Sequence, residues 1–231
     1  MNDDRDEQPV RIWDLPTRIF KWSLVVLVLF QVVTGKMAGE WLKWHFWMGY
    51  AILTLLIFRI LWGFVGSTTA RFSDFVKGPF AGLAHVRQVL APGAPRESGH
   101  NPVGGWMVVA LILALLVQVT SGLFTTDDIA TDGPLVGAAS EGWVKAMTSL
   151  HHRWINLILI MIAVHVLAAV LYLAVKRQNL IAAIITGYKP RKDVAAPGAP
   201  LPTLQFASNL SALACLVVAA AIVWAILRIW G

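Results

Sequence analysis

Three histidines in apolar surroundings hold the chemistry this sequence can perform. His151 opens an apolar run that extends to Val175, and His165 lies within it. An ionisable side chain in a membrane-length apolar segment is costly and is a functional candidate by default. The two are 14 residues apart, close to four helical turns, so both rings leave one helix face, roughly 21 Å apart along the axis. A hydrocarbon core is about 30 Å thick, so one helix presents an imidazole toward each side of a bilayer. His45, in Trp44-His-Phe-Trp-Met-Gly49, opens another apolar run at the depth of His151. Two neutral imidazoles facing each other across a helical bundle make a six-coordinate haem site. Interfacial histidines hydrogen-bonded to water are the other reading. His152 points about 100° away from His151, and helical phase favours His151 as the ligand.

His165 needs a partner at its own depth. The first apolar run enters from the same side and offers Lys21 there. A lysine ligates iron only as the neutral amine, so burial and metal must both depress its pKa. The alternative is that Lys21 snorkels to headgroups. Arg59 follows His45 by 14 residues and shares its helix face at the depth of His165. A buried guanidinium needs an anion, a haem propionate or a lipid phosphate. Gly49 lies four residues after His45, where it leaves room for a porphyrin or for a packed helix. His85 and His100 have no spacing to another ligand and read as ordinary polar residues. Asp127, Asp128 and Asp132 suit docking of a basic partner such as a cytochrome c, or simple solvation.

The elements that must position these residues are membrane helices. The chain is 57% hydrophobic and 14% charged, with 11 Trp; a soluble domain has nearer a quarter charged residues. Five apolar segments approach the ~20 residues that span a bilayer: about Ile19–Gly35, Trp44–Phe64, Val103–Phe124, His151–Val175 and Phe206–Leu227. None shows barrel-type alternation, so they read as helices. With the N-terminus inside, thirteen Lys/Arg fall in cytoplasmic segments and five outside, Arg59 left uncounted, which predicts N-in and C-out. The loop Thr125–Thr148 is then external, and Pro79–Leu90 reads as a short surface helix. The acidic N-terminal stretch does not read as a cleavable signal peptide. Cys215 is the single cysteine, which excludes an internal disulfide and a Cys-based metal site. The net charge of +6 comes with no basic–aromatic surface of the nucleic-acid-binding kind.

The expected organisation is a cytoplasmic segment, 1–18; an all-α four-helix transmembrane haem-binding bundle, 19–188; a Pro-rich linker, 189–203; and a peripheral fifth transmembrane helix, 204–231. A short repeat is visible inside the bundle. Gln31-Val-Val-Thr-Gly35 ends the first span and Gln118-Val-Thr-Ser-Gly122 ends the third. Each precedes an external loop and a span that opens with a ligand candidate, His45 or His151.

The stretches Val10-Arg-Ile-Trp-Asp-Leu-Pro-Thr-Arg-Ile-Phe-Lys-Trp22, Trp44–Gly49 with Arg59, Arg71-Phe-Ser-Asp-Phe-Val-Lys-Gly-Pro79, Gly99-His-Asn-Pro102 and Leu150-His-His-Arg-Trp-Ile-Asn156 with His165 resemble bacterial di-haem membrane cytochromes b. These are the cytochrome b561 type and the b-type cytochrome subunits of nickel–iron hydrogenases. The order and spacing of the stretches carry the likeness, over about Val10–Tyr188. The resemblance implies haem b, two groups or one, and electron transfer between the quinone pool and a redox partner such as a cytochrome c or a hydrogenase, in the inner membrane. It implies His45 and His151 as ligands of the outer haem and His165 as one ligand of the inner haem. The family's remaining ligand is a histidine directly before the tryptophan matching Trp22, where this chain has Lys21. That departure leaves three expectations: His/Lys ligation, a five-coordinate inner haem, or one haem only. Superoxide:quinone oxidoreduction and a haem-free membrane anchor are the rival functions.

Overall fold

The computed structural model describes residues 6–37, 39–78, 97–127 and 131–229. The surface helix expected over Pro79–Leu90, along with His85 and Asp128, lies outside them. Strand β1 is Pro9–Arg11, followed by helices α1 (Leu15–Thr34) and α2 (Glu40–Val65), a 3-10 turn at Thr68–Ala70 and the short α3 (Phe72–Phe75). Next come α4 (Pro102–Gly122), α5 (Glu141–Lys176), α6 (Leu180–Thr186), β2 (Tyr188–Pro190) and α7 (Asn209–Ile229). Five of these, α1, α2, α4, α5 and α7, are long and apolar enough to cross a membrane. Their outer faces are apolar: Val26 and Leu29 are each 63% exposed, and Ile160 is 62% exposed. Such faces suit acyl chains as the solvent.

Helix α5 differs most from the expected span. It starts at Glu141 and runs 36 residues, about 54 Å at 1.5 Å per residue. The sequence marks only where hydropathy rises, at His151. The backbone ladder begins earlier because Ser140 starts it, its carbonyl accepting from Val144 N at 3.0 Å and its hydroxyl from Trp143 N at 3.4 Å. Glu141 and Lys145 pair at 2.5 Å one turn apart. His151 is thus ten residues inside its helix, with rigid backbone on both sides.

The chain forms two compact units. One comprises Met1–Ile19, Leu61–Ala110 and Val164–Ala212. Its core is Ile12, Trp13, Ala183 and Val194. Strands β1 and β2 pair antiparallel with Val10 opposite Lys189, a feature that three-residue strands hide from any periodicity. Gly187 ends α6 at φ 92°, a left-handed turn that suits glycine, and its carbonyl accepts from Ile12 N and Trp13 N at 2.8 and 3.1 Å. Asp14 caps α1 by accepting from Thr17 N at 2.6 Å. The Thr17 hydroxyl accepts from the buried Trp62 indole at 3.2 Å, and Thr69 donates to the Ile12 carbonyl at 2.7 Å. His100 sits against Trp13 and Phe75, with ring centres 4.8 and 4.9 Å away. Asn101 caps α4 through Gly104 N at 2.6 Å and donates to the Tyr172 hydroxyl at 2.7 Å.

The Pro-rich stretch after β2, expected as a linker, is docked in this same unit. Val194 and Ala195 are buried. Thr68 N donates to the Gln205 carbonyl at 2.9 Å, Gln205 N donates back to the Thr68 hydroxyl at 3.0 Å, and Arg11 lies over the Phe206 ring at 4.3 Å. Lys189 is buried here, its ammonium donating to the Glu97 carbonyl at 3.0 Å. Burial pushes its pKa down from 10.5 to about 8, against the opposing pull of Asp193 and Glu97. The folded protein therefore binds fewer protons than the unfolded chain between these values, and stability rises as pH climbs through that window. The full span amounts to roughly 3 kcal/mol. Thermal midpoints in detergent should rise from pH 8 to pH 10 in wild type and stay flat in Lys189→Met; parallel profiles would show that Lys189 is not the titrating group.

The other unit comprises Phe20–Ile60, Leu111–Ala163 and Leu213–Gly231. Leu53, Leu123, Leu135 and Val223 form its buried cluster, with Tyr50, Phe124 and Ile226 packed against it. Helix α7 thus supplies a core residue, Val223, to the unit that holds His45 and His151. Trp154 does more than line an interface: its indole donates to the Ala114 carbonyl at 2.9 Å, tying α5 to α4.

Candidate haem-ligating site

Helix α2 brings His45 and α5 brings His151 to a ring-centre separation of 6.2 Å, with planes at 82°. Each ring is held on its Nδ1 side by the helix that precedes its own. His45 Nδ1 is 3.2 Å from the Thr34 hydroxyl of α1, and the Gln31 carbonyl also accepts from this ring. His151 Nδ1 donates to the Gln118 carbonyl of α4 at 2.9 Å, with the Ser121 hydroxyl at 3.4 Å. A hydrogen bond to one ring nitrogen fixes the tautomer and leaves the other nitrogen as the Lewis base. The Gln118 amide nitrogen donates to the His151 carbonyl at 3.1 Å and lies 3.4 Å from His151 Nε2.

These residues fit a haem iron. Metal–nitrogen bonds of about 2.0 Å to two imidazoles put the ring centres about 6.3 Å apart, against the observed 6.2 Å. Both donors are neutral imidazoles with an acceptor behind them, the donor set of a six-coordinate haem. The space around the rings is made by glycine. A Cβ on Gly35 would lie 3.1 Å from His45 Cε1, and one on Gly122 would lie 2.8 Å from His151 Cε1. The side-chain oxygens of Gln31 and Gln118 are buried without a hydrogen-bond partner among the described residues.

The remaining candidates are placed as follows. His152 is exposed, its ring centre 6.0 Å from that of His151. Gly49 faces the Gln31 amide, to which a Cβ would come within 3.1 Å. Arg59 is 1% exposed. Phe20 of α1 and Phe58 of α2 pack with ring centres 6.3 Å apart, which sets the next residues, half-buried Lys21 and buried Arg59, at one level of the two helices. His165 belongs to the other unit and lies on an exposed face of α5. Asp132 pairs through its backbone with Thr126 in an isolated bridge, and the Asp127 carboxylate accepts from Thr131 N at 2.9 Å within the loop that carries it. Sequence reading had not connected Thr34, Ser121 and the two glutamine carbonyls with the rings; the repeat was their only signal.

Five membrane-length helices and a crossed pair of half-buried imidazoles define a membrane cytochrome of the b type. The chain belongs to the prokaryotic cytochrome b561 family, whose model matches residues 12–187. It is similar to proteins named as probable Ni/Fe-hydrogenase B-type cytochrome subunits. That of Rhizobium leguminosarum bv. viciae is 26% identical over 81% of this chain and 92% of its own length. That of Azotobacter vinelandii is 25% identical over 82% and 92%, and that of Rhodobacter capsulatus 23% identical over 82% and 84%. No solved structure matches the chain. It is accordingly a multi-pass bacterial membrane protein that carries haem b and works in electron transfer.

Proposed function

We propose that the chain is the membrane electron carrier between a hydrogenase-type partner and the quinone pool of the inner membrane, with its N-terminus inside and its C-terminus outside. His45 and His151 hold one haem b toward the outer side. From the sequence, His165 and Lys21 are the ligands expected for a second haem toward the inner side, and Arg59 the residue expected to pair with a propionate. The observation that carries this reading is the 6.2 Å pair of crossed imidazoles, each with Nδ1 already engaged. Bound haem supplies reversible one-electron chemistry, and the protein supplies ligands, orientation and a dry surrounding that tune it. The relatives named as hydrogenase subunits match 81% and 82% of this chain and 92% of their own length, and favour a hydrogenase over a cytochrome c as the partner. The excess of Lys/Arg in the segments assigned inside supports the orientation.

The inner site is where this chain departs from its family, and Lys21 is its test. Pyridine haemochrome assay of the purified protein should give two haems per chain. Lys21→Ala should convert one of them from low spin to high spin, and Lys21→His should restore low spin with a shifted potential. Two low-spin haems in Lys21→Ala would remove Lys21 from the ligand set; a single haem in wild type would remove the inner site.

A further inference from the structure

The two Gln-x-x-Thr/Ser-Gly runs have no role in the reading above. We infer that they are a duplicated clamp in which Thr34, Gln31, Ser121 and Gln118 are positioning residues that set the orientation and basicity of the two haem ligands. This rests on His45 and His151 being those ligands.

The runs Gln31–Gly35 and Gln118–Gly122 close α1 and α4, and each faces the histidine of the helix that follows. Positions i, i+3 and i+4 share a helix face, so each run aims a carbonyl, a hydroxyl and a gap at one ring. The hydroxyls are shut away from solvent, Thr34 at 0% and Ser121 at 1% exposed. Thr34 spends its own proton on the Phe30 carbonyl at 2.9 Å, and Ser121 spends its proton on the Gln118 carbonyl at 2.9 Å. Each oxygen therefore turns a lone pair toward Nδ1. Gly35 and Gly122 remove the Cβ that would meet the ring. The sequence match covers five residues; the spatial match covers three separate contacts at equivalent positions, which chance similarity in sequence does not supply.

The halves are not equal. Each ring has a hydroxyl and a carbonyl behind it, but the hydroxyl stands nearer at His45, 3.2 Å against 3.4 Å at His151. An acceptor behind Nδ1 makes the imidazole a stronger donor and favours oxidised iron. It also fixes the ring plane. Crossed ligand planes, as here at 82°, leave the iron orbitals that bond to them nearly equal in energy. That gives a strongly anisotropic low-spin signal in electron paramagnetic resonance, with a large maximal g value.

The test compares full-length wild type with Thr34→Val, Thr34→Ser and Ser121→Ala, using haem stoichiometry, redox titration and paramagnetic resonance. Thr34→Val keeps the side-chain shape and removes the hydroxyl acceptor, leaving the Gln31 carbonyl. It should raise the outer-haem potential by about 59 mV for each tenfold loss of preference for oxidised iron, and lower the maximal g value. Thr34→Ser should return both to wild type, and Ser121→Ala should shift them less, because its hydroxyl stands farther from Nδ1, at 3.4 Å against 3.2 Å. A Thr34→Val protein with unchanged potential and signal overturns the clamp. So does a change, haem loss included, that Thr34→Ser fails to reverse, since packing alone would then be responsible. Failure of the ligand assignment itself is seen separately, as a His45→Ala protein with the wild-type haem spectrum.

Discussion

His45→Ala and His151→Ala should each yield protein with one haem fewer per chain than wild type, while His152→Ala keeps the full complement. The two ligand substitutions remove opposite ends of one coordination axis, so the double variant should lose no more haem than either single, as expected of residues acting as a unit. The effect is large because nothing nearby replaces an imidazole. The neighbours on the Nδ1 sides are hydroxyls and carbonyls already committed to hydrogen bonds, and these are poor ligands for haem iron beside an imidazole. His152 is adjacent in sequence but exposed, and reaching the site would require α5 to turn by about 100°. Pyridine haemochrome ratios with reduced-minus-oxidised spectra measure the outcome. A His151→Ala protein with the wild-type ratio and low-spin bands would remove this pair from the ligand set.

The spans and the histidine pair were legible because both depend on one-dimensional quantities. A run of about 20 apolar residues marks a span, and a histidine at the matching end of each of two spans marks a common depth. The beginning of α5 was not legible by hydropathy, because a helix does not stop where lipid stops; Ser140 and the Glu141–Lys145 pair extend it by ten residues beyond His151. The β1–β2 pair joins Val10 to Lys189, and contacts so distant in sequence leave no local pattern. Prolines between Tyr188 and Pro202 forbid a helix but say nothing of where the segment docks, which is decided by Thr68, Arg11 and the buried Val194. Several residues that carried only resemblance proved to be braces: Asp14 caps α1, His100 packs against Trp13 and Phe75, and Asn101 caps α4. They hold one another rather than a cofactor, which is why their spacing pointed to no chemistry. The Gln-x-x-Thr/Ser-Gly repeat lies between these cases. Its recurrence was visible, but its meaning needed the Nδ1 contacts, since hydroxyls that bond back to their own helix look the same in sequence.

Gly122→Ala should separate haem binding from folding more sharply than any other single methyl group at this site. A Cβ at Gly122 would lie 2.8 Å from His151 Cε1 and 3.0 Å from Nδ1, while the ring is pinned by the Gln118 carbonyl at 2.9 Å. The ring must move, and it cannot move without giving up that bond or its place opposite His45. Such overpacking costs about 1–3 kcal/mol, and 2 kcal/mol of it is roughly a 30-fold loss of haem affinity. The backbone loses nothing: Gly122 is not in the left-handed region, and alanine is better than glycine in a helix by about 1 kcal/mol. The apoprotein should therefore keep its wild-type far-ultraviolet circular dichroism while the outer haem is weakly held. Gly35→Ala is the graded comparison. Its Cβ would lie 3.0 Å from the Gln31 carbonyl and 3.1 Å from His45 Cε1, so a shift of a few tenths of an ångström relieves it, and the longer 3.2 Å bond to Thr34 leaves the ring freer to yield. Gly35→Ala should retain the haem with an altered potential. Haem titration of the two apoproteins decides the order; equal affinities, or Gly35→Ala the weaker, would show that the His151 ring is not held where the Gln118 carbonyl and Gly122 together place it.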